Sequence, residues 1–359
     1  MKTLKIGIVL LVFLLAAMVM VSMVSAAEQS NNTGITLYQN GSDAMSDASK
    51  DTDIQAIFNS APSLEYLPEG MQNEQILNDY KSPAKMIIDL MKSKGYTDSQ
   101  ITDALKGHGY GWDPKTGACW KGTAPTAEEQ KIIDRIRGPG YSPSSPYKSI
   151  QPLNILTDRQ AYRQIKVIAD STYFGVNINM KPGNTLTSSS GTFQHVLTTH
   201  LGKKPNPSTE CWIESGVEKF SDSTARRYFT YDNDEGGWQF HGNADATTLK
   251  NYMIYVTTTH DSSGYVYHVW IGNVWVRDGH VAFRENVIDS SNEIWATGSN
   301  PWTPDPSTTV FRDGYLYQAS GISQWGSNVP TYFNFNPNPC PISESVDRTA
   351  IPFLWTTWI

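Results

Sequence analysis

From about residue 165 onward the chain is a succession of short runs rich in Val, Ile, Thr, Tyr, Phe and Trp, interrupted by Gly, Asn, Asp and Pro. Within the runs apolar and polar residues alternate, as in Thr172–Met180, Arg227–Tyr231 and Asn251–Thr259. Successive side chains of a strand leave opposite faces, so alternation marks strands with one face in a core and one outside it. Roughly a dozen such strands separated by turn residues predict an antiparallel β-sandwich or jelly roll of the concanavalin type. Tyr265–Val276 reads as a hairpin turning at Gly272-Asn273, and Asp278-Gly279 reads as the next tight turn.

The first half has another texture. Lys2 and Lys5 precede an apolar run from Ile6 to about Val24, and Val-Ser-Ala-Ala27 follows. That order is expected of a secretory signal over residues 1–27, with an uncleaved N-terminal anchor as the alternative. Both place the remainder outside the cytoplasm, secreted or anchored. Residues 28 to about 60, rich in Asn, Ser, Asp and Thr, read as a disordered lead-in. Three helices are then expected. The first begins after Ser82 with the stripe Met86, Ile87, Leu90, Met91 and closes at Gly95. The second starts at Thr97-Asp-Ser-Gln and ends at Gly107; the third starts at Thr126 and stops at Gly138-Pro-Gly, with a Gly/Trp/Pro loop holding Cys119 between them. A Pro/Ser linker, Tyr141–Tyr147, completes the division into a signal (1–27), a lead-in with helical propeptide and linker (28–150) and a β-sandwich (151–359). An independent helical domain fits the same spacing.

A net charge of −7 and a pI near 5.5 exclude a nucleic-acid partner, which needs a basic footprint. Three cysteines are too few for a disulfide scaffold. A bridge between Cys211 and Cys340 suits an oxidising compartment and leaves Cys119 over, in the segment expected to be removed.

No Gly-x-Ser-x-Gly elbow and no His-Glu-x-x-His motif occur, and His195/His200 and His260/His268 lack ligand spacing. Carboxylates remain. In Glu210–Lys219, Glu210, Trp212, Glu214 and Glu218 share one face of a strand while Cys211, Ile213, Ser215 and Val217 share the other. Asn292–Thr297 repeats the arrangement with Glu293, Trp295 and Thr297. Glu210 and Glu218, at the ends of their strand, and Glu235 and Glu285, in or beside turns, are expected to be solvated. If Glu214 and Glu293 meet, their like charges cannot both ionise cheaply, so one stays protonated as acid while the other activates water. Trp212, Trp295 and Trp238 would line the cleft between them.

Three blocks resemble the neprosin-like secreted glutamic endopeptidases and, more distantly, the eqolisin-type glutamic peptidases. Tyr173-Phe-Gly-Val-Asn-Ile-Asn-Met-Lys-Pro182 is similar to "YYGxxxxINVWNP". Trp212-Ile-Glu-Ser-Gly-Val217 with Arg227-Tyr-Phe-Thr-Tyr231 is similar to "IEAGW" with "RLFxYWT". Asn292-Glu-Ile-Trp295 corresponds to "GGEV" or "AEWI". The resemblance covers roughly residues 165–320 and implies a jelly roll made with an inhibitory propeptide. It also implies peptide hydrolysis through two glutamates (a Gln and a Glu in eqolisins), without a cofactor. Glu214 then takes the first catalytic position and Glu293 the second. The paired cysteines that follow "YWT" in plant members are absent; the chain reads Asp232-Asn-Asp-Glu-Gly-Gly-Trp238 there. Two further readings share the residues: a glycoside hydrolase using two carboxylates, and a non-catalytic lectin-like or adhesion module.

Overall fold

The computed structural model describes residues 51–67, 73–137, 158–167, 173–183, 193–202, 212–220, 225–233, 235–282, 284–297, 308–336 and 342–358. The signal-like run, Cys211 and Cys340 lie outside the described residues. Among the described residues no helix is long and apolar enough to cross a membrane.

The N-terminal part is helical around one hairpin. Helices α1 (Thr52–Leu64), α2 (Glu74–Asp79), α3 (Pro83–Ser93) and α4 (Asp98–Gly107) precede β1 (Tyr110–Trp112) and β2 (Cys119–Lys121), and α5 (Ala127–Arg137) follows. Three helices fall where periodicity and caps put them. Ser82 caps α3 ahead of Pro83, and Thr97 with Gln100 forms a reciprocal capping box on α4. Two expectations need correction. Residues 52–64 form α1 within the expected lead-in, capped by Asp51 and docked through Ile54, Phe58 and Ala61. The presumed loop around Cys119 is the hairpin β1–β2.

Among the described residues fifteen strands follow. They are β3 (Asp158–Val167), β4 (Tyr173–Lys181), β5 (Phe193–Gly202), β6 (Trp212–Phe220), β7 (Arg227–Asp232), β8 (Gly237–Asn243), β9 (Lys250–His260) and β10 (Tyr265–Ile271). Then come β11 (Val274–Val281), β12 (Val287–Thr297), β13 (Thr309–Gln318), β14 (Gly321–Gln324), β15 (Thr331–Asn336), β16 (Ser343–Val346) and β17 (Trp355–Trp358). They make the expected antiparallel β-sandwich. A seven-stranded sheet runs β15-β3-β12-β5-β6-β7-β8; the larger sheet runs β1-β2-β11-β10-β9-β4-β13-β17-β16, with β14 on β13. Gly272 and Asn273 turn the β10–β11 hairpin with positive φ at both positions, as a type I′ turn requires. Asp278 and Gly279 are no turn but lie within β11. Gly279 faces Tyr267, whose hydroxyl would stand 2.6 Å from any Cβ there. The glycine records a close approach.

Tyr267 and Tyr252 point between the sheets, where Tyr267 donates to Asp232 (2.6 Å) and Tyr252 meets the Tyr228 ring. The alternate residues His268 and Trp270 point outward and carry the helical layer, with Tyr80 against both rings. Asp278 is the polar centre of that contact. It accepts from Ser82 Oγ at 2.5 Å and Trp275 Nε1 at 2.6 Å, and bonds His268 Nδ1 at 2.6 Å. Cys119 is buried beside it, and burial above all pushes its thiol pKa well up. A cavity of about 290 Å³ lies in this same junction, lined by Lys81, Lys85, His268 and His280 among others.

Candidate active site

The outer face of the seven-stranded sheet is organised in cross-strand rows. Trp238, Tyr231, Glu214, His200, Asp289, Lys166 and Tyr332 are consecutive register partners from β8 to β15. Two residues along every strand lies the row Phe240, Phe229, Gly216, Thr198, Ser291, Gln164 and Asn334. Two further on, or three on β8 where the register shifts by one residue, come Asn243, Arg227, Glu218, Val196, Glu293, Tyr162 and Asn336. Period-2 geometry assigns these rows to one face. The residues between them, such as Tyr228 and Asp232, look into the sandwich.

Glu214 and Glu293 therefore stand on the same face, but not level. They are two strands and four residues apart, roughly 16 Å between backbones at ordinary strand spacing and rise. Asp289 is level with Glu214, two strands away, at roughly 10 Å by the same spacing. Glu293 is level with Glu218. Gly216 leaves the middle position of β6 bare between the two rows.

All four carboxylates are buried: Glu214 and Asp289 are 0% exposed, Glu218 1% and Glu293 4%. Glu218 and Glu235 thus depart from the expectation of solvated carboxylates, whereas Glu285 is exposed. Glu218 is neutralised by Arg227 (3.2 Å), and Glu235 by His280 (3.1 Å to Nδ1). Gln164 Nε2 donates to Asp289 Oδ2 at 2.7 Å, and Ser291 Oγ donates to Glu293 Oε1 at 2.9 Å. Burial is the largest influence on Asp289 and raises its pKa. Lys166 opposes, Glu293 and then Glu214 raise it further, and the result lies well above the usual carboxyl range. An acid that keeps its proton near a second carboxylate is the arrangement acid–base hydrolysis needs.

Of the three expected tryptophans, Trp238 is buried in the Glu214 row and packs on Phe229 and Tyr231, with ring centroids 4.5 and 5.2 Å apart. By backbone register Trp212 pairs with Gly202 and Trp295 with Gln194 and Gln160. Asp289 and Gln164 escaped the sequence reading. Asp289 shares the parity of Glu293, which was the one available signal; that β12 lies next but one to β6 was not written locally. Among the described residues no group of His, Cys, Asp and Glu is arranged to hold a metal ion.

Helix α5 packs on this face. Thr126 and Glu129 cap each other at its start, and Glu129 reaches Arg227 Nη1 at 2.6 Å. Arg227 lies flat on Phe240, 3.6 Å from the ring centre, and so joins helix, Glu218 and sheet. Ile133 is buried, and the helix passes close to β12.

No family model and no curated protein matches the chain. Among solved structures it is similar to an eqolisin-family peptidase in complex with the tripeptide Ala-Ile-His, at 11% identity and TM-score 0.36, over 56% of this chain and 100% of that one. Scytalido-glutamic peptidase with a transition state analogue inhibitor aligns at 10% identity and TM-score 0.37, over the same shares. A β-glucanase of Bacillus licheniformis aligns at 12% identity and TM-score 0.27, over 41% of this chain and 66% of that one. These distant likenesses take in peptidases and a glycosidase, and they do not separate the two chemistries.

Proposed function

We propose that this protein is a secreted, acid-acting endopeptidase of the neprosin-like glutamic type, working through carboxyl groups on the outer face of the seven-stranded sheet. The observation that carries the reading is the register that sets buried Glu214 on one face with the buried acids of β12. Glu214 is the base that takes a proton from water. A protonated acid on β12 gives its proton to the scissile carbonyl oxygen and regains one as the tetrahedral intermediate collapses. Trp238 and its aromatic neighbours floor the cleft beside Glu214. The segment before the sandwich inhibits the enzyme in cis, with α5 as the part that lies over the acids.

The test uses the full chain after acid incubation, offered a denatured protein and, separately, a β-glucan from acid to neutral pH. Proteolysis confined to acid and lowered about 10²–10⁴-fold by Glu214→Gln is expected, the usual worth of a positioned proton-transfer group. Glucan cleavage sensitive to the same change would make the protein a glycosidase. Folded protein inert to both would make it a binding module.

A further inference from the structure

We propose that Asp289, held by Gln164, is the acid partner of Glu214, and that Glu293 acts on the pair only through its charge. The inference rests on the peptidase reading for its chemistry and on geometry for its residues.

Three observations converge on Asp289. It is the β12 residue in the same cross-strand row as Glu214, with one strand between them. Glu293 lies two rows away, beside Glu218 and the Arg227 cluster that meets α5. Asp289 is also fully buried, and its Oδ2 is fixed by the Gln164 amide at 2.7 Å. Since Nε2 donates to Oδ2, a proton carried by Asp289 sits on Oδ1. Gln164 thereby orients the acid as well as holding it, which makes it a positioning residue.

The reaction balances with these groups alone. Water adds to the scissile carbonyl carbon, forming a C–O bond while its proton passes to the Glu214 carboxylate and the Asp289 proton passes to the carbonyl oxygen. The gem-diol then collapses: the C–N bond breaks, Glu214 returns its proton to the leaving amine, and one diol hydroxyl returns a proton to Asp289. Both side chains end as they began.

The test compares acid-incubated full-length Asp289→Asn, Asp289→Glu, Gln164→Ala and Glu293→Gln in two measurements: the pH profile of proteolysis, and the infrared band of the carboxylic acid that keeps its proton to the highest pH. Asp289→Asn should lose about 10²–10⁴-fold in kcat, as removal of a general acid does, and should lose the band. Asp289→Glu, which keeps the carboxyl and guards against a variant that fails to fold, should keep the band and lower kcat with little change in KM. Glu293→Gln should keep activity in acid within about tenfold and move the basic limb of the profile to lower pH, because one raising charge on Asp289 is gone. Gln164→Ala should also move that limb. Full loss in Glu293→Gln with activity retained in Asp289→Asn would overturn the assignment, as would a band that survives in Asp289→Asn. If wild type cleaves no protein, the peptidase reading fails by itself. A band lost only in Asp289→Asn would then still support the acid, in the service of another substrate.

Discussion

His280 shows how a buried group here is held by charges from several elements. Burial alone would lower its pKa, but Glu235 at Nδ1 and Asp261 at Nε2 outweigh that, and the pKa lies above the ordinary histidine value. Glu235 also accepts from the His280 backbone N–H at 2.7 Å, so β11 and the turn entering β8 are tied by one carboxylate. A histidine whose folded pKa is raised adds stability that is fully present below its unfolded pKa and is lost as pH rises through the folded one. Melting temperature should therefore fall as pH rises through and above the normal histidine range, and His280→Gln should flatten that slope. An unchanged slope in the variant would assign the dependence to other groups. Asp261 is the weaker partner, being about half exposed and screened by solvent.

At the scale of elements, α5 is the part whose attachment depends on acid. Burial raises the pKa of Glu129, but the Thr126 backbone N–H and Arg227 more than offset it, leaving the group below its usual value. Such a carboxylate contributes above its unfolded pKa, and the contribution is lost as pH falls through the folded one. Protection factors for amide exchange across residues 127–137, which correct for the slower intrinsic exchange in acid, should thus fall on acidification, and Arg227→Gln should give the low protection, and so fast exchange, at neutral pH already. Protection independent of both would mean that apolar contacts such as Ile133 hold the helix. Elements were the most legible scale in the sequence, and for physical reasons. Ser82-Pro83 and the Thr97/Gln100 box are local signals, and period-2 alternation is decided within one strand. α1 is hidden because it follows a stretch rich in Asn, Ser, Asp and Thr and is docked by only three buried residues, Ile54, Phe58 and Ala61. Nothing local marks Glu218 and Glu235 as buried, because their cations, Arg227 and His280, come from other strands. Asp289 was missed because only the sheet order brings β12 next but one to β6.

For the molecule as a whole, the helical layer and α5 stand in different relations to the sandwich. Ile87, Ile88 and Met91 of α3 and Ile101 and Leu105 of α4 are buried in a core shared with Trp270, Trp275 and Tyr255. The hairpin β1–β2 continues the larger sheet through β11. At about 1.5–3 kcal/mol for each large apolar side chain, burial of those five residues is on the order of 10 kcal/mol, comparable with the net stability of an entire domain. α5 instead rests on the acidic face by the Glu129–Arg227 ion pair and the buried Ile133. Activation should accordingly require that α5 leave, while α1–α4 and the hairpin stay. A protease site engineered between Arg137 and Asp158 tests this. After cleavage and brief acidification, the two pieces should still co-elute on gel filtration at neutral pH and show higher proteolytic activity than the intact chain. A chain begun at residue 122 should aggregate or melt far below wild type. Dissociation of the N-terminal piece, with a sandwich that stays folded and active, would show instead that the whole segment before it is a removable propeptide.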